Sequence, residues 1–232
     1  MSNEPLILSI ETATLSGSIA ISRGAEILGD FSGDPSTSHS NTLLADIDRL
    51  LMDLGLTIRD IDLFAVAAGP GSFTGLRIGI ASVKALAVTL DRPCVGVPTL
   101  AAIAHSAGES KCSVAMLPAG RGEVFAQMFE VSADGAVNAL DDPVHLPPAK
   151  VVERYLNQVD VRWVGDGAIQ HDALINEQGT QLARSWTIAR INSNLARDVA
   201  QLARDMMSTL TGHTATDLRA LYVRPSDAEL KY

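Results

Sequence analysis

Cysteine is almost missing from this chain, with Cys94 and Cys112 the only two in 232 residues. They stand far apart with no CxxC pair, and no signal peptide opens the sequence, so a disulfide framework is excluded and free thiols in a reducing cytoplasm are expected. Histidine is scarce as well. His39, His105, His145, His171 and His213 never fall at helical pairing distance from one another, so no metal site is expected. Basic residues are outnumbered, 18 Lys and Arg against 27 Asp and Glu, for a formal charge of −9. That balance argues against the chain alone embracing a nucleic-acid backbone, where affinity comes from cations neutralising phosphates, and leaves room only for a local basic patch. No apolar run reaches membrane-spanning length. Aromatic residues make up 4 % and charged residues 19 %, whereas hydrophobic residues reach 47 %. The chain is therefore a folded protein rich in aliphatic side chains, long enough for one large or two small domains.

Apolar runs and turn residues predict a layered order. Leu6 to Glu11 reads as a buried strand, followed by strands at Gly17 to Ser22 and Glu26 to Phe31 with Gly24 between them. A helix is predicted from His39 to Leu54, with Leu43, Leu44, Ile47, Leu50, Leu51 and Leu54 in one apolar stripe opposite Asp46, Arg49 and Asp53. A buried strand at Leu63 to Ala67 leads to a helix over Thr74 to Leu90, then a strand at Cys94 to Val97 and a helix over Thr99 to Ala107. Beyond Gly108 the pattern shortens. Strands at Ser113 to Leu117, Val124 to Val131 and Val161 to Val164 and helices at Ala149 to Leu156 and Ser193 to Leu210 are expected. The domain boundary is expected between residues 104 and 110, giving an N-terminal subdomain over residues 1–106 and a shorter C-terminal subdomain over residues 107–232.

The segment Gly69-Pro70-Gly71-Ser72-Phe73-Thr74-Gly75-Leu76-Arg77-Ile78-Gly79 joins a buried strand to an unusually apolar helix. Gly69, Gly71 and Gly75 permit close backbone approach, and Ser72 and Thr74 can cap the first helical amides. Such a turn presents N–H groups that could hold a phosphate; it could equally be a tight turn with no ligand. No lysine follows Gly75, so it is not a Walker loop, and Thr74 occupies the place where a dinucleotide fingerprint has glycine. The helix after it shows one apolar face of Phe73, Leu76, Ile80, Val83, Ala87 and Leu90 and another of Ile78, Ala81, Ala85 and Val88. Burial on more than one side is expected, either by the sheet and the preceding helix of the same chain or by a like helix pair on another chain.

These residues resemble the signature of the bacterial tRNA threonylcarbamoyladenosine biosynthesis protein TsaB (YeaZ) family. The order of Ile10-Glu11-Thr12-Ala13-Thr14, His39, Val95-Gly96-Val97 before Pro98-Thr99-Leu100, and Arg121-Gly122-Glu123-Val124-Phe125 agrees with it, well over residues 6–130 and loosely beyond. The resemblance implies an α/β fold of the actin-like, sugar-kinase-like and Hsp70-like class, with two related subdomains, each a mixed sheet flanked by helices. It implies an accessory, non-catalytic subunit that pairs with a catalytic paralogue, TsaD, and an ATPase, TsaE, for threonylcarbamoyl transfer to N6 of adenosine 37 of tRNA. ATP and metal are then expected on the partners, none on this chain, and tRNA is met only through the complex. A homodimer is expected for the chain alone. The interface is expected on Leu43, Leu44, Ile47, Leu50, Leu51, Leu54, Phe73, Leu76, Ile80, Val83 and Ala87, and residues near any bound phosphate are expected to be Glu11, Thr12, Gly69, Gly71, Ser72, Thr74 and Gly75.

The chain departs from the family pattern at two places. Glu11 stands where relatives usually carry Asp, and Pro118 where they often carry Asp, which weakens the case for a nucleotide cleft with two acidic lips. Thr99 and Ile103 occupy the positions of the catalytic paralogue's His-x-x-x-His, and neither replaces an imidazole ligand. Arg121 and Glu123 read as a surface ion pair or a partner contact. Rival readings are a small-molecule kinase, whose acids would come from Asp141, Asp142 and Asp166; a hydrolase built on Ser72, His39 and Asp46, although no Gly-x-Ser-x-Gly elbow exists; and a homodimer without tRNA chemistry.

Overall fold

The computed structural model describes residues 4–33, 39–191, 194–209 and 214–223. In chain order these form β1 (Leu6–Glu11), β2 (Ser18–Arg23), β3 (Glu26–Ser32), α1 (His39–Asp53), β4 (Leu63–Gly69), α2 (Phe73–Leu90), β5 (Cys94–Pro98) and α3 (Thr99–Ser106). There follow β6 (Ser110–Gly120), β7 (Glu123–Val131), β8 (Val137–Ala139), β9 (Val144–Leu146), α4 (Pro148–Arg154), β10 (Asp160–Val164), α5 (Asp166–Gln170), α6 (Asp172–Gln181), β11 (Ser185–Ala189) and α7 (Ala196–Thr209).

Two compact units result, one from Met1–Ala102 with Ser193–Leu221 and the other from Ile103–Asn192 with Tyr222–Tyr232. The boundary expected between residues 104 and 110 thus falls within α3, and the last helix, expected in the C-terminal subdomain, belongs to the first unit. The reason is packing. α7 lies on β1, β2, β4 and β5, whose second face would otherwise be bare.

The first unit holds a sheet in the order β3-β2-β1-β4-β5, with β1 antiparallel to β2 and parallel to β4. Because β1 is buried along its whole length, its two side-chain rows feed two different layers. Leu6, Leu8 and Ile10 join Ile19, Ile21, Phe64 and Val66 in a core closed by α1 and α2. Ser9 and Ser18 point the other way, to the start of α7: the Ser9 hydroxyl donates to the Ala196 carbonyl at 2.7 Å and the Ala196 amide donates to Ser18 Oγ at 3.0 Å. The second unit holds β11-β10-β6-β7-β8, with β9 also on β7, around an aromatic core of Trp163, Tyr155 and Trp186. β8, β9, β11, α5 and α6 were not anticipated. They are short and carry little apolar periodicity of their own.

Candidate functional site

The turn between β4 and α2 is packed against the connection that follows β1. The Ser72 amide donates to the Ala13 carbonyl at 2.8 Å, and the Thr12 hydroxyl donates to the Gly75 carbonyl at 2.8 Å. A Cβ at Gly75 would stand 1.8 Å from the Thr12 carbonyl oxygen and one at Gly71 2.6 Å from that of Ala13, so glycine is required for backbone to meet backbone. Ser72 is the helix cap as expected, its hydroxyl accepting from the Gly75 amide at 3.3 Å. Gly69 donates instead to the buried Thr99 hydroxyl at 3.1 Å, and Thr74 lies at the surface. Glu11 is 1 % exposed, and its carboxylate accepts from the amide and the hydroxyl of Thr14, both at 2.7 Å. Of the residues expected near a phosphate, Thr12, Gly71, Ser72 and Gly75 are therefore brought together, and the bonds just described serve the fold. A shallow cleft beside them is lined by Glu11, Thr12, Ser18, Phe31, Thr42 and Asp46 among others.

The two helices of the same unit place most of the expected interface elsewhere. Leu43, Ile47, Leu50 and Leu51 of α1 and Leu76, Ile80, Val83 and Ala87 of α2 are buried in the chain's own core. Their spacing makes one apolar stripe because the sheet beneath them is apolar, so they are core residues rather than contact residues. Leu54 packs at the edge of that core. Leu44 and Phe73 are exposed, at 60 % and 39 %. The second apolar row read on α2 is the one facing solvent: Ala81, Ala85 and Val88 are exposed and Ile78 half-buried. With Phe73 and Arg77 they continue at helical spacing, the Arg77 guanidinium lying 3.8 Å over the Phe73 ring. On α1, Leu44 and Met52, the latter 75 % exposed, flank Asp48. This face, absent from the expected contact set apart from Leu44 and Phe73, was legible as the second row of α2; Met52 carried no such signal.

Its apolarity has a second consequence. Phe73–Leu90 is long and apolar enough, by length and composition, to cross a membrane, contrary to the expectation that no run would be, and only 28 % of it is buried. Here it lies along β4 with its buried residues in the sheet core.

The second unit engages Asp141, one of the three acids that a kinase reading would use, while Asp142 and Asp166 are exposed. Asp141 accepts from the Met128 amide at 2.8 Å, the Tyr155 hydroxyl at 2.8 Å and Arg154 Nε at 3.1 Å. Burial, and then the Asp141 carboxylate, push the Tyr155 phenol well above its ordinary range. Glu123 pairs with His145 Nε2 at 3.0 Å, whose ring stacks on Phe125 with centroids 5.0 Å apart. Arg121 sits at φ 53° in the tight connection between β6 and β7. Pro118, expected in that connection, still pairs with Val124 inside the strands. Among the described residues no group of three or more His, Cys, Asp or Glu side chains could hold a metal ion. The His39 side chain, and with it the Ser72, His39 and Asp46 reading, lies outside the described residues.

Comparison with known proteins bears on this arrangement. Residues 34–223 match the family model described as TsaD: tRNA N6-adenosine threonylcarbamoyltransferase. The tRNA threonylcarbamoyladenosine biosynthesis protein TsaB of Escherichia coli strain K12 is 32 % identical over 164 residues, 69 % of this chain and 70 % of that protein. Its counterpart in Bacillus subtilis strain 168 is 30 % identical over 53 % of this chain and 55 % of its own length. The solved structure of YeaZ from Pseudomonas aeruginosa superposes with a TM-score of 0.79, at 23 % identity, covering 94 % of this chain and 99 % of that one. The fold is thus the one expected, the actin-like, sugar-kinase-like and Hsp70-like class with two mixed sheets flanked by helices. With its topology, its Gly69 to Gly79 turn and its match to both curated relatives, the chain belongs to the TsaB (YeaZ) family.

Proposed function

We propose that this chain acts in threonylcarbamoyl modification of tRNA as a non-catalytic subunit, and that the solvent-facing row of α1 and α2 docks on a catalytic paralogue, TsaD. The carrying observation is the row itself. Phe73, Ala81, Ala85, Val88, Leu44 and Met52 are exposed apolar side chains on two neighbouring helices whose other faces already close a core. Surfaces of this kind mark interaction sites, and the small Ala81 and Ala85 allow a partner helix to approach closely. The names of the relatives supply the pathway. The match to a threonylcarbamoyltransferase model is consistent with a partner of the same fold.

Docking stabilises whichever conformation of the partner binds more tightly, so an accessory chain activates by differential affinity and needs no catalytic group of its own. ATP and metal then sit on the partners, TsaD and the ATPase TsaE, and tRNA is met through the complex. Left without a partner, the same face pairs two copies of the chain. The cytoplasm, where tRNA is modified, is the compartment of this reading. No observation favours the kinase or the hydrolase.

The test is a dropout reconstitution with the paralogue, the ATPase, an adenylate-forming enzyme, ATP, threonine, bicarbonate and tRNA, scoring threonylcarbamoyladenosine by mass spectrometry. Modification that requires this chain, while the chain alone is inactive, supports the accessory role. Full modification in its absence overturns it.

A further inference from the structure

Residues 214–221, which follow α7 in the chain, lie on the first unit as a strap. Thr214 to Asp217 forms a turn in which Thr214 Oγ1 donates to the Asp217 carboxylate at 2.5 Å and the Asp217 amide donates to the Thr214 carbonyl at 3.0 Å. Leu218 is then 5 % exposed and belongs to the same core cluster as Ile80, Val83 and Ala87 of α2. Room for it comes from the sheet. A Cβ at Gly96 of β5 would stand 2.8 Å from Leu218 Cδ1 and 2.9 Å from the Ala68 Cβ, so the glycine in this buried strand clears the seat of the leucine. Three residues on, the Leu221 amide donates to the Ala68 carbonyl at 2.7 Å, beside the turn that starts α2.

We propose that the strap Thr214–Leu221 is a positioning element for the interaction face: by seating Leu218 beside α2 and bonding Leu221 to Ala68, it holds the first turns of α2 where a partner can dock. The proposal rests on the docking reading above. α1 packs against α2, and Leu218 of the strap joins the same core cluster, so both contribute to fixing α2 on the sheet. The strap itself contacts no partner, and its effect on docking travels through α2.

Two variants act on different segments of the strap. Leu218→Ser empties the seat, and Leu221→Pro removes the donated N–H while sparing the core, since Leu221 is 44 % exposed. Amide hydrogen exchange over residues 69–76, affinity for the catalytic paralogue and far-UV circular dichroism are measured on the full chain, with Leu218→Met as the conservative rescue and Val88→Asp as the docking control. Exchange over 69–76 speeds up in both variants and affinity falls about tenfold, within the usual span of coupling between sites, while Leu218→Met restores both. Should Leu218→Ser fail to fold, Leu221→Pro carries the test. Unchanged exchange over 69–76, or unchanged affinity in a variant while Val88→Asp weakens binding, overturns the strap's role. If the wild-type chain does not bind the paralogue at all, the docking reading fails and the exchange measurement alone decides whether the strap positions α2.

Discussion

The sheet of the first unit is covered on both faces, and the two covers are finished to different degrees. α7 buries Ala196, Val199, Ala200, Leu202 and Ala203 and turns Arg197 and Asp205 to water, with Gln201 and Arg204 at the margin. It is anchored by polar contacts at its start. Asn194 Nδ2 donates to the Phe31 carbonyl at 3.0 Å and to Asp30 at 2.7 Å, and Arg197 pairs with Asp30 at 2.6 Å. α2 buries an equally apolar row but turns a second one outward. A helix with a polar outer face is complete within its own chain; one with an apolar outer face is stable as a fold and incomplete as a surface. The difference locates the interaction face without appeal to any ligand.

Charge insertion tests the contrast most severely. Val83→Asp places an unpaired carboxylate in a site of 0 % exposure and should cost more than about 4 kcal/mol, enough to abolish the thermal transition. Val88→Asp, five residues along the same helix and 70 % exposed, should move stability by no more than about 0.5 kcal/mol. A comparable loss from both would mean that α2 has no solvent face. The turn comes next. Gly75→Val drives a side chain into the Thr12 carbonyl and should destabilise by about 3 kcal/mol, read by urea unfolding at constant m-value.

On binding, Val88→Asp should weaken association with the paralogue by about 2 kcal/mol, and Arg204→Ala on α7 should leave it untouched, both by calorimetric titration. Equal effects would erase the distinction between the two covers. Asn194→Ala removes the side-chain bonds to Asp30 and Phe31 while leaving the Arg197–Asp30 pair, and should cost about 1–2 kcal/mol of stability with affinity unchanged. The smallest effect concerns Cys94 and Cys112. Burial raises both thiol pKa values, so the thiolate is scarce at neutral pH and alkylation should accelerate only as pH passes above the ordinary thiol range. Rapid labelling of Cys94 at pH 7 would show the core under α2 to be open.

Most of this architecture was legible from residues 6 to 107, where apolar periodicity is strong and the turn residues are unambiguous. The strands of the first meander and the starts of α2 and β5 fall where the pattern places them. Which face of a helix meets its own sheet was not legible. Phe73-Leu76-Ile80-Val83-Ala87 and Ile78-Ala81-Ala85-Val88 are both apolar, and only tertiary packing assigns the first to the core, apart from Phe73 at its exposed end. The return of α7 also escaped. Its amphipathic pattern states that it packs, and nothing local states against which sheet. Gly96 gave the one usable hint of the strap, a glycine in a buried strand with no turn to explain it.

The order in which the polypeptide is made gives the placement of α7 a further meaning. The second unit's main span, Ile103–Asn192, is continuous, so it can fold as soon as it leaves the ribosome. The first unit, begun earlier, waits for Ser193–Leu221 before the serine-bearing side of its sheet is shielded from water. The unit begun first therefore cannot close this side of its sheet until the main span of the second unit has already been made.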